Sequence, residues 1–186
     1  MASVDLDRSS KKADDGSGTR APSAELTWRT AEATDARAIG DAIEAWWDRH
    51  INHHIQPQFL EHFGDTTLLV EERGELVAFL VGVISQRYPG VAYVHFMGVH
   101  REYWGRGIGR ELYRRFAQMG RERGCTELWA ETGAFNRNSI AFHRRIGFDL
   151  VPTDLVIDGL PVHRDEAGIG ADYVEFRMDL TAAGSL

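Results

Sequence analysis

The chain has 186 residues, of which 43% are apolar and 26% charged, and it carries a net charge of −7. That balance excludes a fibrous or wholly disordered protein, the length supports one domain with a hydrophobic core rather than two, and the acidic charge argues against a nucleic-acid footprint. No run approaches the ~18 apolar residues of a membrane helix, and Cys125 is the only cysteine, so neither an intramolecular disulfide nor a cysteine-based metal site is expected, and a cytoplasmic protein without membrane association is.

Residues 1–24 are rich in Ser, Asp, Lys and Gly with almost no large apolar side chain, which predicts a disordered tail before a single domain over residues 25–182. "LTWRT" (26–30) alternates like an edge strand, and the next segment spaces Ile39, Ile43, Trp46 and Trp47 at helical intervals, with Thr34 as the expected N-cap. Residues 51–64 show no clean period and read as a short helix or a loop. "TTLLVEE" and "LVAFLVGVISQ" read as antiparallel strands joined by a tight turn at "RGE", and "VAYVHFMGV" (91–99) as a strand apolar on both faces at the centre of a sheet. Ile108, Leu112, Phe116 and Met119 recur every three or four residues, predicting a helix of four turns that stops at Gly124. "TELWAET" reads as a strand, "NSIAFHRRIGF" as a short helix ended by Gly147, and "FDLVP" and "DYVEFRMDL" as closing strands around a polar loop.

Between the central strand and the long helix lies "REYWGRGIGREL", with Gly105, Gly107 and Gly109 at alternate positions. A strand, a glycine-rich turn and a helix N-terminus together can hold an anion, because first-turn N–H groups lack intrahelical acceptors and a missing Cβ lets the anion approach. Arg106 adds charge inside the turn. The spacing is neither the G-x-G-x-x-G of a dinucleotide fold nor the Gly-Lys of a P-loop, which leaves an anion cradle or a ligand-free turn.

"VHREYWGRGIGRELYRRF" resembles the central motif of the GNAT superfamily of N-acetyltransferases, Val-x-Pro-x-x-(Arg/Gln)-x-x-Gly-x-Gly/Ala leading into a helix, with the glycine register met at Gly107 and Gly109. "NRNSIAFHRRIGF" is similar to the second family pattern at Asn136, Ser139, Gly147 and Phe148. The resemblance covers nearly the whole chain outside the tail. It implies an α/β fold (α+β, mixed sheet) with six to seven strands, about four flanking helices and a V-shaped splay between the central strands, which holds acetyl-CoA. It places the pyrophosphate on the amides of Gly105, Arg106, Gly107, Ile108, Gly109 and Arg110, and the pantetheine arm against the backbone of Met97, Gly98 and Val99 and the side chain of Asn136, beside Ser139. Trp104 stands in this cofactor-binding stretch where the family most often has Arg or Gln, so its side chain gives no hydrogen bond to phosphate.

The implied reaction is direct acetyl transfer from acetyl-CoA to a primary amine in a ternary complex, with the Val99 amide as oxyanion donor and no metal. Transfer needs a base for the ammonium and a proton for the leaving thiolate. His143, at the family's usual tyrosine position, is the candidate acid, or else packs on the helix while solvent supplies the proton. Strand alternation puts Tyr93, His95 and Met97 on one face, which makes His95 the first candidate base, then Glu131, then Tyr93. His50, His53, His54 and His62 cluster without a matching carboxylate and read as acceptor-side or surface residues rather than zinc ligands. Expected partners are acetyl-CoA and an unidentified amine, small molecule or protein, for a monomer or homodimer that contacts neither nucleic acid nor membrane. An acyl-CoA-binding sensor or an interaction module of the same fold is the alternative.

Overall fold

The computed structural model describes residues 25–47, 55–164, 171–182 and 184–186. The expected tail falls outside these residues. Strand β1 (Leu26–Thr30) leads through a 3-10 turn at Ala33–Asp35 into α1 (Ala36–Trp47). That turn is capped by Glu32 and Asp35, which bond reciprocally as a capping box, and not by Thr34. Asp35 is also held by Arg29, whose guanidinium bridges it to Glu71 of the neighbouring strand. The unpatterned segment resolves into α2 (Pro57–Phe63), begun by a proline whose missing N–H costs nothing at a helix start.

Strands β2 (Leu68–Glu72) and β3 (Glu75–Ile84) form the expected hairpin, with Arg73 and Gly74 both at positive φ, as a type I′ turn requires. Then come β4 (Val91–Val99), α3 (Ile108–Glu122), β5 (Glu127–Gly133), α4 (Arg137–Ile146) and β6 (Asp149–Leu150). A short hairpin, β7 (Val156–Ile157) with β8 (Leu160–Pro161), stands where a polar loop is expected, and β9 (Tyr173–Asp179) closes the sheet.

The seven-stranded sheet runs β1-β2-β3-β4-β5-β9-β6, antiparallel except for the parallel β4–β5 pair. The mixed α/β architecture expected from the motifs is the one observed. On one face α3 and α4 bury Leu112, Tyr113, Phe116 and Ile140 against Leu80, Ala92, Val94 and Leu128. On the other, α1 and α2 bury Ile39, Ile43 and Leu60 against Leu69, Phe79 and Val81. β3 and β4 are sandwiched by both layers and therefore read as continuous apolar runs. No helix among the described residues is long and apolar enough to cross a membrane.

Candidate active site

The central seam of the sheet is only half closed. β4 and β5 pair from Val91↔Glu127 to Val94↔Ala130, after which β4 continues to Val99 and β5 to Gly133 without pairing to each other, β5 remaining paired with β9. On the opposite edge β4 stays paired with β3, and His100 N–H donates to the Val77 carbonyl at 2.8 Å. Antiparallel pairs alternate between hydrogen-bonded and non-hydrogen-bonded, so Gly98 turns its polar groups to β3, whereas Met97 and Val99 turn theirs into the opening. Gly98 serves a different need. A Cβ there would stand 2.7 Å from the Phe79 ring, which is fully buried, and 3.2 Å from Trp46.

At the mouth of the opening the chain forms the cradle. Gly105 and Gly107 have φ of +75° and +80°, conformations that side chains resist, and a Cβ on either would meet no protein atom within 4 Å. The space above them is open. Gly107 is the N-cap of α3, and the first intrahelical bond is donated by Glu111 to its carbonyl, so the amides of Ile108, Gly109 and Arg110 precede it without intrahelical acceptors. Ile108 buries its side chain in the core and has only its amide to offer. Glu111, the one acid in this turn, is held by Arg114 at 2.7 Å and Arg115 at 2.8 Å, which pull its carboxyl down to about 2 and offset its charge. Arg106 and Arg110 are exposed beside the amides. This arrangement fits a polyphosphate: free donors, the positive end of a helix dipole, and room where side chains would stand.

On the face of the sheet turned away from α3, Tyr93, His95 and Glu131 are brought together. Tyr93 is held protonated by burial first, then by the charge of Glu131 and a hydrogen bond to it. His95 lies 6.3 Å from both the Tyr93 and Phe59 rings, centroid to centroid. Met97 does not share this face, contrary to simple alternation. The β3–β4 register shifts between Val81 and Gly82, where Phe96 pairs with the first and Val94 with the second, so His95 is the extra residue of a β-bulge. Beyond it the facing inverts: Met97 approaches Gly109 of α3, while Phe96 packs on Trp47 of α1. Glu131 is paired across strands with Glu175, which Arg177 balances at 3.0 Å.

His143 sits elsewhere, in the core between α4, α3 and β9. The residue is 4% exposed, its ring stacked at 4.4 Å on Phe176 with Phe142, Phe148 and Tyr113 edge-on. Its Nδ1–H donates to the Ser139 carbonyl at 2.8 Å, which makes Nε2 the acceptor for the Tyr113 hydroxyl at 2.7 Å. Burial drives its pKa down to about 4 against the opposing Ser139 bond, so near pH 7 the ring is neutral and its only N–H is already given. That geometry leaves His143 no free N–H and agrees with the alternative in which it packs on the helix. Tyr113, its partner, went unrecognised in the sequence because it falls on the core face of α3 like any apolar residue.

Asn136 caps α4, its Oδ1 accepting from Ser139 N–H at 3.2 Å. Cys125 is buried and its thiol is pushed up by that burial, the opposite of an activated nucleophile. His50, His53 and His54 lie outside the described residues. Among the described residues no group of three or more His, Cys, Asp or Glu is gathered to hold a metal.

Residues 26–148 match the model of the acetyltransferase (GNAT) family. An acetyltransferase of Sodalis glossinidius is 29% identical over 117 residues, covering 63% of this chain and 78% of its own. Among solved structures, yncA of Salmonella typhimurium, described with its cofactor acetyl-CoA, superposes with a TM-score of 0.60 at 20% identity, over 86% of this chain and 96% of that one. Diaminobutyrate acetyltransferase from Paenibacillus lautus, solved with L-2,4-diaminobutyric acid and coenzyme A, gives 0.63 at 17% identity, over 86% and 98%. The half-open seam, the amide cradle beside it and a family match across two thirds of the residues agree: the chain belongs to the GNAT family and is an acetyltransferase.

Proposed function

We propose that the protein transfers the acetyl group of acetyl-CoA directly to a primary amine, both substrates being bound at once in the opening between β4 and β5, within a single domain over about residues 25–182. The observation that carries this reading is the pairing that stops at Val94↔Ala130 while β4 runs on to a cradle of free amides.

In this reading acetyl-CoA, when bound, supplies an activated thioester. The chain does the rest. The amides of Gly105 to Arg110, with Arg106, hold the pyrophosphate, and Met97 and Val99 offer backbone groups to the pantetheine arm as a sheet edge offers them to an added strand. Asn136 accepts the Ser139 N–H through its oxygen and keeps its NH2 for the same arm. The Val99 N–H, turned into the opening, steadies the negative charge that develops on the carbonyl oxygen.

On the acceptor face, His95 takes the proton from the incoming ammonium, directly or through water, and Glu131 draws the cation in. Tyr93 serves as a hydrogen-bond donor to Glu131 rather than as a base, since its phenol is held protonated. His143 gives no proton to the thiolate, which is protonated by solvent. The test is a panel of amino acids, diamines, aminoglycosides and peptide N-termini incubated with acetyl-CoA, following release of the CoA thiol. At least one amine should accelerate release above the hydrolytic background. CoA binding without acceleration by any amine would favour an acyl-CoA sensor instead.

A further inference from the structure

Trp104 is 59% exposed, yet its indole N–H is committed: Nε1 donates to the Val99 carbonyl at 2.8 Å. Strand alternation turns that carbonyl into the β4–β5 opening, so the last acceptor on the open edge of β4 is taken by a side chain of the glycine loop itself. The next residue back, Tyr103, is tied as well, its hydroxyl donating to Glu72 of β2 at 2.8 Å, and Arg106 lies over its ring at 4.5 Å. Arg101 lies 5.8 Å from the Trp104 ring. The first half of the loop is thus fastened to the sheet on two strands before the chain enters the positive-φ glycines.

From this we infer that Trp104 is a positioning residue, a brace that fixes the distance between the two halves of the acyl-CoA site: the strand edge at Met97 and Val99 and the amide cradle at Gly105 to Arg110. The inference rests on the acetyl-CoA reading above. A ligand that spans both halves must order whatever is loose between them, and a loop tied down in the free protein spares it that entropy. The same bond occupies the Val99 carbonyl, so the arm finds one donor and one acceptor at Met97, and at Val99 only the N–H that faces the thioester carbonyl. Trp104 acts here through its N–H and not through its ring.

Two substitutions separate ring from donor. Trp104→Phe keeps an aromatic ring and loses the N–H. Trp104→Gln loses the ring and keeps a neutral donor at similar reach. CoA affinity by isothermal titration and KM and kcat for acetyl-CoA are measured for both beside the wild type, with the melting temperature of each free protein. Losing one modest hydrogen bond is expected to raise Kd and KM about 5-fold in Trp104→Phe, with the change falling on KM more than on kcat. Trp104→Gln should stay within about 2-fold of the wild type. Unchanged affinity in Trp104→Phe, or a loss in Trp104→Gln equal to or larger than that in Trp104→Phe, overturns the brace and leaves the acetyltransferase reading standing. So does a fall in melting temperature accompanied by equal losses in kcat and affinity, which would mark a purely structural residue. A wild type that binds no CoA overturns the function itself.

Discussion

Acidification should destabilise this protein through His143, and the depth of its burial sets the size of the effect. The ring is buried among four aromatic side chains, neutral, with its pKa lowered from the ordinary 6.5 to about 4. A group whose folded pKa is depressed contributes stability that is complete above its unfolded value and disappears as pH falls through the folded one; here the window runs from 6.5 down to about 4. At about 1.4 kcal/mol per pH unit, the gap amounts to about 3 kcal/mol at most, a large share of the ~5–15 kcal/mol that holds a domain together. The comparison protein is the double variant His143→Phe, Tyr113→Phe. Replacing both partners of the 2.7 Å bond by rings of similar shape removes the titrating group without stranding a buried hydroxyl, so stability at pH 7 should stay within about 1 kcal/mol of the wild type. The single variant His143→Phe leaves the Tyr113 hydroxyl buried without its acceptor and should lose about 1–3 kcal/mol at pH 7. Urea melts at pH 7, 6, 5 and 4.5 read the difference between wild type and double variant. The double variant should gain on the wild type steadily toward pH 4.5. A difference that does not change with pH refutes the neutral buried ring. If either variant loses most of its turnover at pH 7 while remaining folded, solvent protonation of the thiolate is refuted as well.

Gly107→Ala and Gly124→Ala form a matched pair, since both glycines lie near φ +80° with open space where a Cβ would stand. Each should lose about 1 kcal/mol in a denaturant melt. Only Gly107→Ala should weaken CoA by 10-fold or more in a titration, because only there does the methyl occupy the cradle; equal binding by the two would remove the cradle. Gly98→Ala should destabilise by about 1–3 kcal/mol through its contact with the buried Phe79 ring, and a melt unchanged from wild type would show that Phe79 moves aside freely. His95→Ala should lower kcat by about 10-fold or more with KM for acetyl-CoA little changed, whereas an unchanged kcat would pass the role of base to Glu131.

Much of the fold was legible because its elements announce themselves locally. The heptad-like recurrence of Ile108, Leu112, Phe116 and Met119, the glycine stops at Gly124 and Gly147 and the β-branched runs each depend only on near neighbours. The glycine turn that begins α3 was legible for the same reason, being one continuous stretch of chain. What escaped was set by packing. A single extra residue at His95 leaves no trace in a strand that is apolar on both sides, so the facing of Met97 was misjudged. The fate of His143 depended on Tyr113, thirty positions earlier. One miss had an available signal: "VIDGLP" carries Asp158-Gly159, both at positive φ, the dipeptide that favours a two-residue hairpin turn.

The half-open seam also bears on how long the protein survives. An unpaired strand edge inside a sheet is a place where the backbone meets water, and also where a foreign strand or a protease can gain hold. A ligand that completes the edge stabilises the fold by about 2.7 kcal/mol at a concentration one hundred times its Kd, a gain that falls away as the ligand is depleted. Under the proposed acetyl-CoA reading, the abundance of this acetyltransferase in a cell would track the supply of that acyl donor, with turnover of the polypeptide rising when the donor runs low.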